Sequence, residues 1–476
     1  MQVSIIHLND VRKQLNLRMD AEYWHPSLIR LSNRIQKNSI RLGDLIENGY
    51  RVVYENTKIL PKSEIVGNQP KFLQAADIES PIINIEKSGY VLNEDWLRYE
   101  KGRVVQGEIL LEVKGNVKKV AIVPDTFPEK VLVSGTLYKF TVNDKVNKYF
   151  LAVYLSCEFG QKLKNRLVSN IATPFISKSE LYEIPVPLLS FPFQNKIQGI
   201  YLYLLDIRKR STELFEDSQT LLLSELGLTN WQPKHQLTFI RNYSDVEQAE
   251  RIDAEYYQPK YEEIVTAIKA YQGGWDTLGN LVKVKKCVEV GSAEYLDEGI
   301  PFIRISNLTP FEITEEKYIS EKLYTEIKQH QPKKGEILFS KDGTPGIAHY
   351  LDAEPRKMIP SGGILRLKSK TKQINNEYLT LVLNSVLVKE QVNRDVGGSV
   401  ILHWRPDQVI ETVIPILAAS KQTEIQKKVI ASFRLREQSK HLLECAKRAV
   451  EIAIEQDETT AIAWLKDQTE NLDGFL

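Results

Sequence analysis

Nine residues near the start of the chain, Arg18-Met19-Asp20-Ala21-Glu22-Tyr23-Trp24-His25-Pro26, return midway as Arg251-Ile252-Asp253-Ala254-Glu255-Tyr256-Tyr257-Gln258-Pro259, with six of nine positions identical. A repeat over half the chain means that one fold is built twice. Further matches keep the same order while the offset drifts from 233 to 236 to 227, as loop insertions between shared elements would produce. Leu42-Gly43-Asp44-Leu45 answers Leu278-Gly279-Asn280-Leu281, and Phe72-Leu73-Gln74 answers Phe302-Ile303-Arg304. Gly107-Glu108-Ile109-Leu110-Leu111 answers Gly335-Glu336-Ile337-Leu338-Phe339, and Ser134-Gly135 answers Ser361-Gly362. Leu237-Thr238-Phe239-Ile240 aligns with Ser4-Ile5-Ile6-His7, so the repeat begins near the N-terminus. Two such halves predict two copies of one fold about a pseudo-two-fold axis, each adapted to one of two similar but different targets.

Each half reads alike. A proline opens a helix, with Pro26 leading into Leu28, Ile29, Leu31 and Ile35 and Pro259 into Tyr261, Ile264, Val265 and Ile268. Short β-branched and aromatic runs follow between turn signals, among them Lys119 to Val123, Thr136 to Phe140 and Ile364 to Leu367, which predict a compact α+β globule of curved antiparallel strands. Loops such as Lys114-Gly115-Asn116 and Lys341-Asp342-Gly343-Thr344-Pro345-Gly346 carry the polar turn chemistry. After Pro187 and again after Pro415 the pattern turns helical, to about Leu226 and Gln456. With Ile197 at heptad position a, Leu204, Ser211, Ser218 and Glu225 continue the a series, and Ile200, Ile207, Leu214, Leu221 and Leu228 occupy d. The second helix places Ile425, Ser432, Ser439, Ala446 and Ala453 at a, with Leu435, Leu442 and Ala449 at d. Small residues at a permit close backbone approach. About 32 residues at 1.5 Å each span about 48 Å, longer than a helix covering its own globule needs. The two helices are therefore expected to pack on each other, antiparallel, as a rod.

The resulting division is a first globule over 1–186, a long helix over 187–228, a linker over 229–250 that opens the second repeat, a second globule over 251–414, a second long helix over 415–457 and a tail over 458–476.

Composition narrows the function classes. Hydrophobic residues are 42% and charged residues 26% of the 476, ordinary for a chain with a proper core and no disorder beyond the tail. Cys157, Cys287 and Cys445 stand far apart, without a CxxC or a nearby His pair, which points away from zinc and disulfides and towards a reducing, cytoplasmic setting. Neither a basic leader with an apolar stretch nor a run of about 18 apolar residues is present, so secretion and membrane spanning are not expected. Net charge is +1, yet basic clusters occur at Lys283, Lys285 and Lys286, at Arg103, Lys114, Lys118 and Lys119, and along Arg366, Lys368, Lys370 and Lys372. No phosphate-cradling G-x-x-x-x-G-K-[ST] and no G-x-G-x-x-G is found. Pro124-Asp125 followed by Glu129-Lys130 lacks the residue that a nuclease motif places between its Glu and Lys. The histidines are scattered, and Gly397-Gly398-Ser399 reads as a loop. Nothing looks catalytic.

The motif Pro-x-x-x-x-x-x-Gln-x-x-Ile-Gln opens a long helix twice, from Pro187 to Gln198 and from Pro415 to Gln426, each time after a Gly-Glu-Ile-Leu strand. With the run from Ala449 to Glu458, this resembles the specificity (S) subunits of type I restriction-modification systems over almost the whole chain. Leu214 to Asp217 and Leu221 to Leu223 depart from that pattern in the first helix. The resemblance implies two target-recognition domains on an antiparallel coiled-coil spacer, bound to double-stranded DNA, to two methylation subunits and, for cleavage, to restriction subunits. It implies no catalytic activity and no cofactor in this chain, with S-adenosylmethionine, Mg and ATP belonging to the partners. Under it, Lys114, Asn116 and Lys118 in the first half and Arg304, Asn307, Lys341, Asp342 and Thr344 in the second are candidates for base contacts, because loop amides, guanidinium groups and other polar tips suit base edges in the major groove. Lys285, Lys286, Lys368 and Lys370 are candidates for phosphates. Ile197, Leu204, Ile207, Leu214, Leu221, Ile425, Leu435, Leu442 and Ala449 are expected to pack the spacer. Two rival readings remain, a pseudo-symmetric scaffold that binds only proteins and a cryptic enzyme with a site in each globule, and a specificity subunit serving a methyltransferase alone is a milder variant.

Overall fold

The computed structural model describes residues 5–12, 17–61, 64–65, 67–169, 173–397 and 402–469. Ser4, Gly398, Ser399 and residues 470–476 of the expected tail lie outside them. The chain divides into two compact units, one of Met1–Arg208 with Glu437–Leu476, the other of Lys209–Arg436. Each long helix, Phe191–Glu225 and Ala419–Glu455, contributes to both units.

In the first unit a four-stranded antiparallel sheet runs in the order Ile46–Tyr50, Leu137–Val142, Ile109–Glu112, Val120–Ile122. The second unit repeats it with Val282–Lys286, Ile364–Ser369, Glu336–Ser340, Ala348–Tyr350. Each unit adds a small three-stranded sheet, Gly89–Tyr90, Lys71–Leu73, Val131–Val133 in the first and Tyr318–Ile319, Ile300–Ile303, Ile359–Pro360 in the second. The expectation of purely antiparallel strands needs correction here. Lys71–Leu73 runs parallel to Val131–Val133, and Ile300–Ile303 parallel to Ile359–Pro360, because both partners of each pair are reached by long connections and neither pair is a hairpin. The strands Ile109–Glu112 and Glu336–Ser340 are buried at every position, so their apolar residues run without alternation, bounded by the buried polar Glu112, Glu336 and Ser340.

One polar pair sits inside each large sheet. Lys139 Nζ lies 2.6 Å from Glu108 Oε1, with both side chains under a tenth exposed. Arg366 binds Glu336 with two nitrogens at 2.8 and 3.0 Å, with side-chain exposures of 2% and 3%. Arg366 therefore leaves the basic surface cluster in which strand alternation placed it. A fork of donors matched to an inward carboxylate is stable there only as a pair.

The repeated motif at Arg18 and Arg251 is structural. Arg251 pairs with Asp253 at 2.7 Å, stacks on Tyr256 at 4.4 Å and donates to the carbonyls of Arg394 and Asp395 that end the helix Val386–Asp395. Arg18 does the same with Asp20, Tyr23 and the carbonyls of Arg166 and Val168. The Gln of the second motif is a clamp. Gln194 Oε1 accepts from Asn147 N at 2.8 Å and its amide donates to Leu189 O; Gln422 repeats this with Asn375 N at 3.0 Å and Leu417 O. These bonds fasten each long helix to the helix starting beside it, Lys148–Ser156 or Asn376–Leu383.

Within each unit the two long helices meet. In the second unit, Ser211 and Ser432 each donate a hydroxyl to the other's carbonyl, at 2.8 and 2.7 Å, while Lys428 pairs with Asp217 and Lys421 with Glu225. Going forward along one helix means going backward along the other, so they are antiparallel. In the first unit Ser439 donates to Leu204 O at 3.0 Å. A hydroxyl reaching a facing backbone carbonyl requires the close approach that small a residues allow. Ile197, Leu204, Ile207, Ile425, Leu442 and Ala449 are buried, whereas Leu214, Leu221 and Leu435 are half-buried and the neighbouring Leu222 and Val429 are buried. Residues 458–469 of the expected tail form a helix, Glu458–Thr469, whose Ala461 and Leu465 are buried in the first unit and whose Glu458 accepts from Ser190 N at 2.6 Å.

Candidate functional site

Two loops meet in each unit on one shared backbone frame. In the first unit the loop after Ile109–Glu112 meets the segment before the helix Lys178–Tyr182. Gly115 N donates to Pro174 O at 3.0 Å, Ile176 N donates to Val113 O at 2.9 Å, and Ser169 and Phe175 exchange backbone bonds. In the second unit Gly343 N donates to Leu402 O and Trp404 N to Lys341 O, both at 2.8 Å, while Gly397 and His403 exchange backbone bonds. Every one of these residues stands 228 positions after its counterpart. Gly115 and Gly343 both hold positive φ, +107° and +63°, which a side chain would strain.

The side chains mounted on this frame differ. Lys114, Asn116 and Lys118 project exposed from the first loop. Beneath them the buried Glu112 carboxylate accepts from the amides of Asn116, Lys118 and Lys119 at 3.2, 2.9 and 3.2 Å, so one acidic group fixes the whole turn. The second loop puts Asp342, Gly343 and Thr344 where the first has Lys114, Gly115 and Asn116. Ser340 replaces Glu112 as the support, accepting from Ile347 N at 2.9 Å and donating to Thr344 O at 2.6 Å. Thr344 is exposed, whereas Lys341 and Asp342 pair with each other and Asp342 Oδ1 lies 2.9 Å from His403 Nδ1.

Other candidates fall elsewhere. Asn307 is withdrawn as a base contact: it is fully buried, and its side chain accepts from Arg304 N at 3.1 Å and donates to Thr314 Oγ1 at 3.3 Å, locking the turn Ile305–Asn307. Asp77 does the same work in the first unit, accepting from Gln74 N at 2.8 Å. Arg304 is half-buried and bonded to Glu316 at 2.5 Å. Lys285 and Lys286 are exposed on the edge strand Val282–Lys286, and Lys368 is exposed opposite Lys283 on the neighbouring strand. Lys370 is exposed but spends a bond of 2.6 Å on Gly279 O. In the first unit Arg103 stacks on Trp96 at 3.9 Å, which removes it from the basic cluster. His403 was missed in the sequence, because its counterpart at the same frame position is Phe175 and no identity marks the pair.

Lys164 lies fully buried behind the first loop, and its Nζ has no hydrogen-bond partner among the described residues. Burial pushes its ammonium down to about 7, against the partial opposition of Glu112. Val392 stands at its place in the second unit. Between about pH 7 and the ordinary value of about 10.4 the folded lysine binds fewer protons than the unfolded chain does, so the site costs stability at pH 7 and below and the cost fades as pH rises through that window. Lys164→Met is expected to raise the melting temperature of the first unit at pH 7 and to remove its gain between pH 7 and 10. Thermal melts across that range would reject this account if the variant melted lower at every pH.

Among the described residues no cluster of metal-ligating side chains occurs, and no helix is long and apolar enough to cross a membrane. Residues 273–444, which hold the second loop pair and most of the second long helix, match the family model of the type I restriction modification DNA specificity domain. That match is to a stretch of the chain, residues 273–444, and marks it as similar to the specificity domains of type I restriction-modification systems. A putative type I restriction enzyme specificity subunit of Haemophilus influenzae is 26% identical over 263 residues, 52% of this chain. The match spans 60% of that relative's length. Among solved structures, the type I S subunit of M. genitalium is similar at 15% identity with a TM-score of 0.33, over 90% of this chain and 95% of that one. The HsdS subunit of Thermoanaerobacter tengcongensis is similar at 14% identity with a TM-score of 0.27, over 92% and 97%. The specificity family's model covers only the second unit's share, yet the first unit repeats its sheet order and its loop frame bond for bond.

Proposed function

We propose that this chain is the DNA-sequence reader of a type I restriction-modification complex and carries no catalysis of its own. The observation that supports this is the loop pair: one backbone frame built twice, with different polar side chains at each tip. An enzyme with a site in each copy would keep one polar constellation in both; at these loop tips the frame is kept and the polar side chains differ. Each unit is proposed to enter the major groove, where every base pair shows a distinct donor and acceptor pattern, and to read a short half-target there. Lys114, Asn116 and Lys118 serve the first half-target, Thr344 and Arg304 the second. The two half-targets make a bipartite, asymmetric site whose unread gap follows the length of the long helices. Two methylation subunits, and restriction subunits for cleavage, supply the chemistry in the cytoplasm, with S-adenosylmethionine, Mg and ATP bound by them.

Lys285, Lys286, Lys368 and Lys370 are proposed to hold phosphates. Lys368→Ala is expected to weaken binding alike for all sequences and to reduce the slope of log K against log salt by about 1. Titration of duplexes at several salt concentrations checks it. A changed sequence preference would show that Lys368 touches bases. Absence of any salt-dependent duplex binding by the assembled complex would instead support a scaffold that binds only proteins.

A further inference from the structure

Asp342 stands in the second loop of the second unit with both oxygens engaged. Its Oδ2 pairs with the Lys341 ammonium and its Oδ1 lies 2.9 Å from His403 Nδ1. The carboxylate and the ammonium are sheltered, 16% and 18% exposed, while the imidazole is 60% exposed. A carboxylate paired with an ammonium has no proton to offer, so Nδ1 must carry the hydrogen of that bond. In the neutral ring the other nitrogen, Nε2, is then an acceptor, and no described residue bonds it. The backbone of His403 is fixed by bridges to both Gly397 and Asp342, so the ring is aimed from a set point by its bond to Asp342. The first unit has Phe175 and Lys114 at the corresponding positions, so this device belongs to one unit only.

We propose that His403 is a specificity-determining residue of the second unit, reading a base through Nε2, and that Asp342 is its positioning residue and not a base contact. The proposal rests on the DNA-reading function above. An acceptor at that point matches the amino group of adenine or cytosine, the donors that the major groove displays. Lys341 orients the system: being donor only, it holds one acceptor atom of residue 342 towards itself and leaves the other to the ring.

The test is selection of bound duplexes from a random library at pH 8, using the full chain with its partner subunits. The parent is expected to enrich a two-part motif, and His403→Ala to flatten one position of one half by about tenfold while the rest stays intact. Asp342→Asn goes further. Lys341 keeps the carboxamide oxygen, the amide nitrogen turns to the ring and donates to Nδ1, and the ring proton moves to Nε2. At the same position the preference is then expected to reverse, towards guanine or thymine, which offer acceptors. A merely structural role for Asp342 would flatten the position without reversing it, and that result overturns the positioning role. If the parent enriches a motif and both variants keep it unchanged, the reading role of His403 is overturned. If His403→Ala loses both halves together, it has unfolded, and the reversal in Asp342→Asn decides alone. If the parent enriches no motif, the DNA-reading function itself fails.

Discussion

Glu336→Ala is expected to lower the stability of the second unit by about 3–5 kcal/mol, because it strands a buried charge. Arg366 is 2% exposed and cannot reach water to recover its hydration; among the described residues its other hydrogen-bond partner is a single carbonyl, Gln329 O at 3.1 Å. Glu336 also accepts from Lys333 N at 3.1 Å, so its loss opens the entry to the strand as well. For a unit of this size the melting temperature should fall by about 10 °C. The first unit, which relies on Lys139 and Glu108, should keep its own transition. Replacing both partners by apolar residues, Glu336→Leu with Arg366→Met, should restore most of the loss, since an absent pair leaves no stranded charge. Calorimetry of the single and double variants separates these outcomes. A double variant as unstable as the single one would mean that the bond the Glu336 carboxylate accepts from Lys333 N, and not the stranded charge, carries the effect.

Insertion of one heptad into each long helix, after Arg208 and after Arg436, is expected to change the gap of the proposed DNA target and leave both half-targets as they are. Seven residues add about 10 Å of helix, or about three base pairs at 3.4 Å each. The insertions keep the a series in phase, so Ser211 and Ser432, and Ser439 and Leu204, retain their bonds. Three base pairs also turn the second half-target about a third of the way around the duplex. The variant should therefore bind its own longer-gap target more weakly than the parent binds the original. Sequencing of methylated sites in a host with the partner subunits reads the gap directly; an unchanged gap would refute the helices as its measure.

Much of this architecture was legible in the chain. The repeat, the helix-opening prolines, the long helices and the buried series Ile197, Leu204, Ser211, Ser218 follow from spacing alone, because helix periodicity and small a residues leave few alternatives. What spacing does not carry is direction. Arg366 and Lys368 alternate on one strand, yet one turns to a buried carboxylate and the other to solvent, and only the fold brings Glu336 beside the first. Asn307 looked like a free loop amide, but a turn three residues long consumes it; the counterpart Asp77 at the same place was the available clue. His403 carried no signal, since a reader that changes its target must change the side chains at its tips, and identity between the repeats vanishes there.

The most direct measurement of the central claim is duplex selection by the complex carrying Asn116→Ala with Lys118→Ala. Both side chains are exposed on a turn held by the Glu112 carboxylate through backbone amides alone, so the turn should survive their loss. The account predicts that one half of the enriched motif relaxes, by about 1–3 kcal/mol per lost contact, while the other half and the gap remain unchanged. Equal relaxation of both halves in a folded variant, or a motif left wholly intact, would contradict it.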